Sequence, residues 1–122
     1  MAEVFISYSR KDKDFVRRLG DTLVASKRDP WVDWKDIPLT AEWQQEIFRN
    51  IEAADIFLFV ISPDSVVSAN CRREIDHAVE NHKKMVPLLH RSVPDDRVPD
   101  ALSRFQRIDF AHEDHFDATL NA

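Results

Sequence analysis

Residues 55–65 read DIFLFVISPDS and contain six consecutive apolar residues, Ile56–Ile61. The run does not alternate between apolar and polar side chains, so a strand formed by it is covered on both faces. Strands of this kind are typical of parallel sheets that carry helices on both sides. The turn-forming sequence SPD at residues 62–64 ends the run. The segment therefore predicts the central strand of an α/β fold.

Strand-like and helical segments alternate on both sides of this run. Before it, Val4–Ile6 predicts a first strand, and Trp31–Trp34 predicts a second strand, each followed by apolar residues at helical spacing. After it, we expect a helix over about Asn70–His82, a strand at Met85–Leu89 and a last strand at Phe105–Phe110. Repeated strand-helix units of roughly 25 to 30 residues form a parallel sheet with helices on both faces.

The sequence indicates where two helices start and predicts one further short helix. Ser9 and Asp12 have the spacing of a capping box at the start of the first helix, and Thr40 is the predicted N-cap of the second. Phe116 and Leu120, one helical turn apart, predict a short final helix within residues 112–122. We expect the chain to be excised from a longer protein.

The composition predicts a single acidic domain. With 122 residues, 43% of them hydrophobic, residues 1–122 can form one core and are too few for two ordinary domains. The formal net charge of -5 disfavours nucleic acid as a partner, because phosphate binding needs a basic face. No stretch approaches the roughly 20 apolar residues that span a bilayer, and the start MAEVFISYS has no basic leader. We therefore expect a cytoplasmic domain without a membrane segment.

Several ligand classes are disfavoured by the residues present. Gly20 is the single glycine, so neither a Rossmann fingerprint nor a P-loop can form. A phospho-accepting receiver domain needs an aspartate at the end of the third strand, where this chain has Ser62. Glu74 and His77 form one E-x-x-H step, but a di-iron site needs a second copy. The sequence HEDH at residues 112–115 is more typical of a solvated tail, so no metal site is predicted.

Glu74 lies near the carboxyl ends of the predicted strands, where open parallel sheets bind ligands. Those ends are residues 7–10, 34–39, 62–71 and 90–94. On an ideal helix, Glu74 lies roughly 85 degrees from the centre of the apolar stripe, so it borders the core and can face the crevice. In a first turn, the helix amino terminus favours the ionised carboxylate by about 0.3 to 1 kcal/mol. Position alone leaves two interpretations open: a carboxylate that serves the crevice, or one that only complements the helix dipole.

Three segments together resemble the Toll/interleukin-1 receptor (TIR) domain, most closely its bacterial and cyanobacterial members. They are EVFISYSRKDKDFV at residues 3–16, WVDWKDIP at 31–38 and SANCRREI at 68–75, and the match spans Glu3 to about Phe110. The resemblance implies a flavodoxin-like three-layer sandwich with a five-stranded parallel sheet and helices on both faces. It also implies that the BB loop, from Trp34 to Ala41, serves self-association through Lys35, Asp36, Ile37, Pro38 and Leu39.

The resemblance further implies an enzyme. Many TIR domains outside animal immune adaptors cleave NAD at the nicotinamide glycosidic bond, and their S-x-x-C-x-x-E pattern places the catalytic glutamate on Glu74. Substrate-binding roles fall on Ser7, Tyr8, Arg10, Trp34, Ser68 and Cys71. Alternatives stay open for individual residues, since a serine can simply cap, an arginine can be solvated and Trp34 can pack. Cys71, on the apolar stripe, is more typical of a buried thiol than of a nucleophile.

The expected chemistry needs one carboxylate. Breaking the bond to a cationic nicotinamide leaves positive charge on the ribose, and a fixed carboxylate stabilises that oxocarbenium-like transition state. Nicotinamide leaves as a neutral molecule and requires no general acid. The hypothesis is therefore an NAD+ glycohydrolase, with NAD+ as substrate and no cofactor, that releases nicotinamide and linear or cyclic ADP-ribose.

Assembly is the second expectation. If the BB loop of a neighbouring copy completes the site, activity rises with self-association, which suits a bacterial defence or cell-death effector fused to other domains. One departure weakens the match, because several NAD-cleaving members carry Trp four residues before the glutamate and this chain has Asn70. The alternative hypothesis is a non-catalytic TIR interaction module that acts as a signalling scaffold through Ile37 and Pro38.

Overall fold

Five parallel strands form one sheet in the computed structural model, which describes residues 3–33, 40–103 and 108–109. The strands are β1 (Val4–Ser7), β2 (Pro30–Val32), β3 (Ile56–Ile61), β4 (Lys84–Leu89) and β5 (Ile108–Asp109). Their order across the sheet is β2-β1-β3-β4-β5, so the unbroken apolar run lies at the centre, as predicted. The prediction of an α/β fold with a five-stranded parallel sheet is confirmed.

Helices cover both faces of the sheet. They are α1 (Lys13–Ala25), α2 (Ala41–Ala53), α3 (Ala69–Glu80) and the short α4 (Asp100–Ser103), with single 3₁₀ turns at Arg10–Asp12 and Asp95–Arg97. Apolar residues of α1 pack on one face, whereas those of α2 and α3 pack on the other, together with Val98 and Leu102. Two buried cores therefore enclose the sheet.

The central strand β3 contributes to both cores in strict alternation. Ile56, Leu58 and Val60 join the core under α1. Phe57, Phe59 and Ile61 join the core under α2 and α3. All six residues are buried. The period of two is hidden in the sequence because both faces of this strand are apolar.

One of the two predicted helix caps forms as predicted, and the other, the capping box, forms only in part. The Thr40 hydroxyl accepts a hydrogen bond from the Trp43 backbone N–H, which confirms Thr40 as the N-cap of α2. The Ser9 hydroxyl accepts from the Lys11 backbone N–H and caps the 3₁₀ turn that precedes α1. Asp12 does not complete a capping box, because its carboxylate accepts hydrogen bonds from Ser62 and Arg91 instead.

Several boundaries differ from the predictions. β2 ends at Val32 rather than at residue 34, and α3 ends at Glu80 rather than at residue 82. The predicted self-association residues 35–39, Trp34 and the final helix over residues 112–122 lie outside the described residues. Within the described ranges, no helix combines the length and apolarity needed to cross a bilayer.

Candidate active site

A cavity of about 600 Å³ opens at the carboxyl edge of the sheet. Its wall combines residues from β1 and the following loop, the residue directly after β2, and the first two turns of α2 and α3. The predicted residues Ser68, Cys71 and Glu74 line it from α3, and Tyr8 and Arg10 line it from the β1 side. Parallel strands end at one edge, so these segments meet although they are far apart in sequence.

Glu74 lies in the second turn of α3, not in the first turn as predicted, because Ser68 is the N-cap and the helix begins at Ala69. The helix dipole acts mainly within the first turn, so it contributes little to the charge state of Glu74. The half-buried carboxyl group borders the cavity. Glu74 therefore faces the crevice, as the sequence predicted.

Ser7 is the hydrogen-bond partner of Glu74. It is the last residue of β1, is buried, and donates its hydroxyl to Glu74 Oε1 over 2.7 Å. Strand alternation explains the contact, since Ser7 shares a sheet face with Phe5, and α3 packs on that face. Among the described residues, no ion pair involves Glu74.

The protonation state of Glu74 differs from the sequence prediction. The pKa of Glu74 is raised to about 7, mainly by burial and to a smaller extent by the negative charge of Asp33. The hydrogen bond from Ser7 and the positive charge of Arg10 lower it, without offsetting the burial. At neutral pH the protonated and ionised forms therefore coexist, whereas the sequence predicted the carboxylate alone.

Cys71 is a buried thiol. Burial raises the pKa of Cys71 to about 11, and the nearby charge of Glu74 contributes to the rise. A thiol with this pKa is almost fully protonated at neutral pH and is a poor nucleophile. The Ser68 hydroxyl accepts from the Cys71 backbone N–H over 3.2 Å, so Ser68 acts as the cap of α3 at the wall of the cavity.

Asp33 joins three parts of the cavity wall. Its carbonyl oxygen accepts from the Tyr8 hydroxyl over 2.6 Å, and Arg10 Nη2 donates to its Oδ2, also over 2.6 Å. Trp43 Nε1 donates to the same carboxylate oxygen over 3.3 Å. Tyr8 is thus a buried support for the wall, while the exposed Arg10 forms an ion pair at the cavity mouth.

Sequence reasoning missed several residues of the wall. Asp33 lies inside the WVDWKDIP motif, and its position near the carboxyl end of the predicted second strand was the signal that could have identified it. Trp43, in the first turn of α2, is half-buried and also lines the cavity. Lys11 also borders the cavity. No group of three or more metal-ligating side chains was found where the chain is described.

A family model described as TIR domain matches residues 4–122. The chain belongs to the TIR domain family. Among curated protein sequences no match is found. The bacterial type suggested by the sequence stays a prediction.

Solved structures share the fold of this TIR domain. The TIR domain of the Toll-related receptor TRR-2 from Hydra magnipapillata is 20% identical with a TM-score of 0.79, and the match covers 99% of this chain and 94% of that one. The Clostridium botulinum CMP N-glycosidase BcmB is 18% identical with a TM-score of 0.63, over 98% and 97%. A TIR-STING receptor from C. gigas in complex with 2',3'-cGAMP is 23% identical with a TM-score of 0.71, over 87% of this chain and 34% of that one. At these identities the similarity shows the fold.

Proposed function

We propose that this TIR domain is an NAD+ glycohydrolase in which Glu74 is the catalytic residue. The observation that carries the proposal is the placement of one half-buried carboxyl group at the wall of a cavity, with a single serine hydrogen bond on Oε1. The cavity, at about 600 Å³, has the size of a small-molecule site. A partly desolvated carboxylate that forms no ion pair with any described residue is suited to a cationic substrate.

The reaction follows from this electrostatic arrangement. Cleavage of the bond between ribose and nicotinamide develops positive charge on the sugar, and an adjacent carboxylate stabilises that charge more in the transition state than in the ground state. The interaction is strengthened because burial removes part of the water around Glu74. A bound nicotinamide cation favours the ionised form of Glu74, so substrate binding itself lowers the pKa of the catalytic group.

Arg10 and Lys11 at the mouth suit the anionic half of a dinucleotide. Arg10 is held by Asp33, whereas Lys11 forms an exposed ion pair with Asp64 over 3.4 Å. Exposed ion pairs of this kind contribute little free energy. The Lys11 ammonium group can therefore leave the Asp64 carboxylate and bind a substrate phosphate instead. The two cations would thereby orient the diphosphate away from Glu74.

The similarity to a CMP N-glycosidase supports the class of reaction rather than the substrate. An N-glycosidic bond joins ribose to the base in both CMP and NAD+, and both substrates carry phosphate. NAD+ is favoured here because its nicotinamide is cationic and leaves as a neutral group without a general acid. CMP is the matched competing substrate in the test below.

The test is release of nicotinamide by the concentrated or artificially oligomerised protein, with CMP hydrolysis measured in parallel. We expect Glu74→Gln to lower the rate by about 10² to 10³, the usual cost of losing one electrostatic contact to the transition state. Glu80→Gln is the matched control, since Glu80 is an exposed residue of the same helix. Absence of turnover in the unaltered protein, or equal turnover in Glu74→Gln, would refute the proposal. Chromatography of the products separates linear from cyclic ADP-ribose.

Self-association forms part of this proposal. We infer that a neighbouring copy contributes residues 35–39 to the site in a cytoplasmic effector of bacterial defence, within a larger protein. Activity is then expected to rise with assembly. Pro38→Ala should reduce both association and nicotinamide release, and an unchanged association constant would contradict this part.

A non-catalytic scaffold is the second candidate, and one observation favours it. Asn70 is exposed at the cavity and its side-chain oxygen accepts from Arg73 over 3.0 Å, so no aromatic ring stands where several NAD-cleaving members carry Trp. A scaffold would associate normally, release no nicotinamide and be insensitive to Glu74→Gln. The nicotinamide assay therefore separates the two candidates.

A further inference from the structure

A second polar cluster lies beside the cavity at the same edge of the sheet. At its centre is Asp12, whose side chain is only 2% exposed. Ser62 donates its hydroxyl to Asp12 Oδ2 over 2.6 Å, and Arg91 donates to Oδ1 from Nη2 over 2.8 Å and from Nε over 3.2 Å. Arg91 Nη2 also binds Asp64 over 2.6 Å. None of these residues lines the cavity.

Arg91 supplies the positive charge that contacts Asp12. His90 Nε2 lies 3.6 Å from Asp12 Oδ1, but burial is the main cause that lowers the pKa of His90, so this ring is mostly neutral at pH 7. Its ring stacks on Phe15 at 3.8 Å between centroids. The carboxylate of Asp12 is therefore neutralised by the planar guanidinium of Arg91, whose two nitrogens fix the direction of the contact.

Hydrogen bonds connect this cluster to the helix that carries Glu74. The Ser62 backbone N–H donates to the Ser65 hydroxyl over 2.9 Å, and the Ser65 N–H donates to the Ser62 hydroxyl over 3.1 Å. The Ser68 N–H donates to the Ser65 carbonyl over 3.1 Å, and Ser68 caps α3. The same Ser62 hydroxyl contacts Asp12, so the loop before α3 is fixed relative to Asp12.

The cluster is also connected to the wall of the cavity that follows β1. Asp12 ends the 3₁₀ turn that contains Arg10 and Lys11, and its backbone N–H donates to the Ser9 carbonyl over 2.8 Å. Ser7, the hydrogen-bond partner of Glu74, lies five residues before Asp12 on the same segment. Movement of Asp12 would therefore displace Ser7 and Arg10, the two groups that lower the pKa of Glu74.

We propose that Asp12 and Arg91 are positioning residues of the Glu74 site. Their ion pair joins the loop after β1 to the loops after β3 and β4, and so holds Ser7, Arg10 and Lys11 at fixed distances from α3. A buried ion pair often stabilises a fold no more than an apolar pair of the same volume. We therefore assign the Asp12–Arg91 pair a role in fixing geometry rather than in stability. The consequence for catalysis rests on the proposed function, whereas the consequence for Glu74 does not.

The first experiment follows the side-chain carboxyl resonance of Glu74 by carbon NMR across a pH titration, without substrate. The resonance is identified by its loss in Glu74→Gln, and Ser7→Ala supplies the reference displacement of the titration midpoint. We expect Asp12→Asn to displace the midpoint in the same direction as Ser7→Ala and by at least half as much. Ile56→Val, a conservative core change at the opposite edge of the sheet, should leave it in place.

The second experiment measures steady-state kinetics with NAD+. We expect the KM of Asp12→Asn to rise about tenfold with a smaller fall in kcat, the effect of loosening one charged contact at the mouth while Glu74 remains. Arg91→Lys retains the positive charge but not the two-nitrogen geometry, so it should show an intermediate KM and an intermediate titration midpoint. Loss of stability alone would lower the amount of active protein without changing KM.

The outcomes separate this proposal from the proposed function. An unchanged Glu74 titration in both folded variants overturns the positioning role, whether or not nicotinamide is released. A displaced titration in a protein that releases no nicotinamide supports the positioning role and refutes the glycohydrolase. If Asp12→Asn does not fold, the Glu74 titration midpoint of Arg91→Lys decides whether the pair positions the site. Failure of both to fold while Ile56→Val folds assigns the pair a stability role only and overturns the proposal.

Discussion

Two carboxylates at the same edge of the sheet have opposite environments. Asp12 is buried and receives hydrogen bonds from Arg91 and Ser62. Glu74 is half-buried and receives one hydrogen bond, from Ser7. Both carboxylates lose contact with water, but among the described residues Asp12 has a direct ion pair with a cation and Glu74 has none. The pKa of Glu74 consequently rises to about 7.

This difference distinguishes a carboxylate that is paired within the fold from one that can still accept a ligand. A buried charge that is fully paired is satisfied within the fold and has no free capacity for a ligand. A carboxyl group that borders a cavity with a perturbed pKa retains unused acceptor capacity, which is the pattern expected of a catalytic group. Within the described part of the chain, Glu74 has one hydrogen-bond partner, whereas Asp12 has hydrogen bonds from both Ser62 and Arg91.

The largest expected effect concerns the pH dependence of stability. The folded pKa of Glu74 is raised from 4.5 to about 7, so its contribution to stability is full below about pH 4.5 and is lost as the pH rises to about 7. Relative to Glu74→Gln, the unaltered protein should lose up to about 3 kcal/mol of unfolding free energy across this window. Urea unfolding of both proteins at several pH values measures the difference, and a difference independent of pH would contradict the raised pKa.

Alanine substitutions compare the contributions of Asp12 and Glu74 to stability directly. Asp12→Ala removes hydrogen bonds to a charged group in the interior and should lower the unfolding free energy by about 2 kcal/mol. Glu74→Ala should change it by less than about 1 kcal/mol at pH 7, because the lost hydrogen bond is offset by relief of the buried charge. Asp76→Ala, on the exposed side of α3, is the control for the helix. Equal losses for Asp12 and Glu74 would remove the distinction.

Ser7→Ala tests how far the one described hydrogen bond to Glu74 controls its pKa. The Ser7 hydrogen bond lowers the pKa of Glu74, so its loss should raise that pKa further, by about one unit if the bond contributes about 1.4 kcal/mol. The acid limb of the pH profile for nicotinamide release should move upward by the same amount. A limb that stays in place would show that another group controls ionisation.

Thiol reactivity offers the smallest and most local readout. Because the pKa of Cys71 is raised to about 11, iodoacetamide should label the native protein far more slowly than the urea-unfolded protein at pH 8. Glu74 contributes to that raised pKa, so Glu74→Gln should speed labelling by about twofold at most, since burial remains the main cause. Mass spectrometry measures both rates. Equal labelling of native and unfolded protein would contradict the buried thiol.

Local sequence patterns predicted most of the fold. The unbroken run Ile56–Ile61 identified the central strand because apolar residues are required on both faces. Thr40 was recognisable as a cap because its hydroxyl serves a backbone group three residues away. The end of β2 was less predictable, since a strand of three half-buried residues carries little periodicity. Boundaries set by such short elements depend on the strand beside them.

The candidate site was only partly predictable. Helical geometry placed Glu74 at the border of the core, because the angle between residues on a helix is fixed. Its partner Ser7 is 67 residues away, and no local pattern links the two. Asp33 lay inside a recognised motif, but its contacts with Arg10 and Trp43 need three segments to meet. Long-range partners of this kind cannot be read from spacing.

The amino-acid sequence by itself determined the parallel α/β architecture, the family and the direction in which Glu74 faces, since these follow from apolar periodicity and short motifs. The tertiary structure decided the charge state of Glu74 and the pairing of Asp12 with Arg91, which is 79 residues away. The physical reason is that periodicity is a property of neighbouring residues, whereas desolvation and ion pairing depend on which distant segments replace the water around a charge.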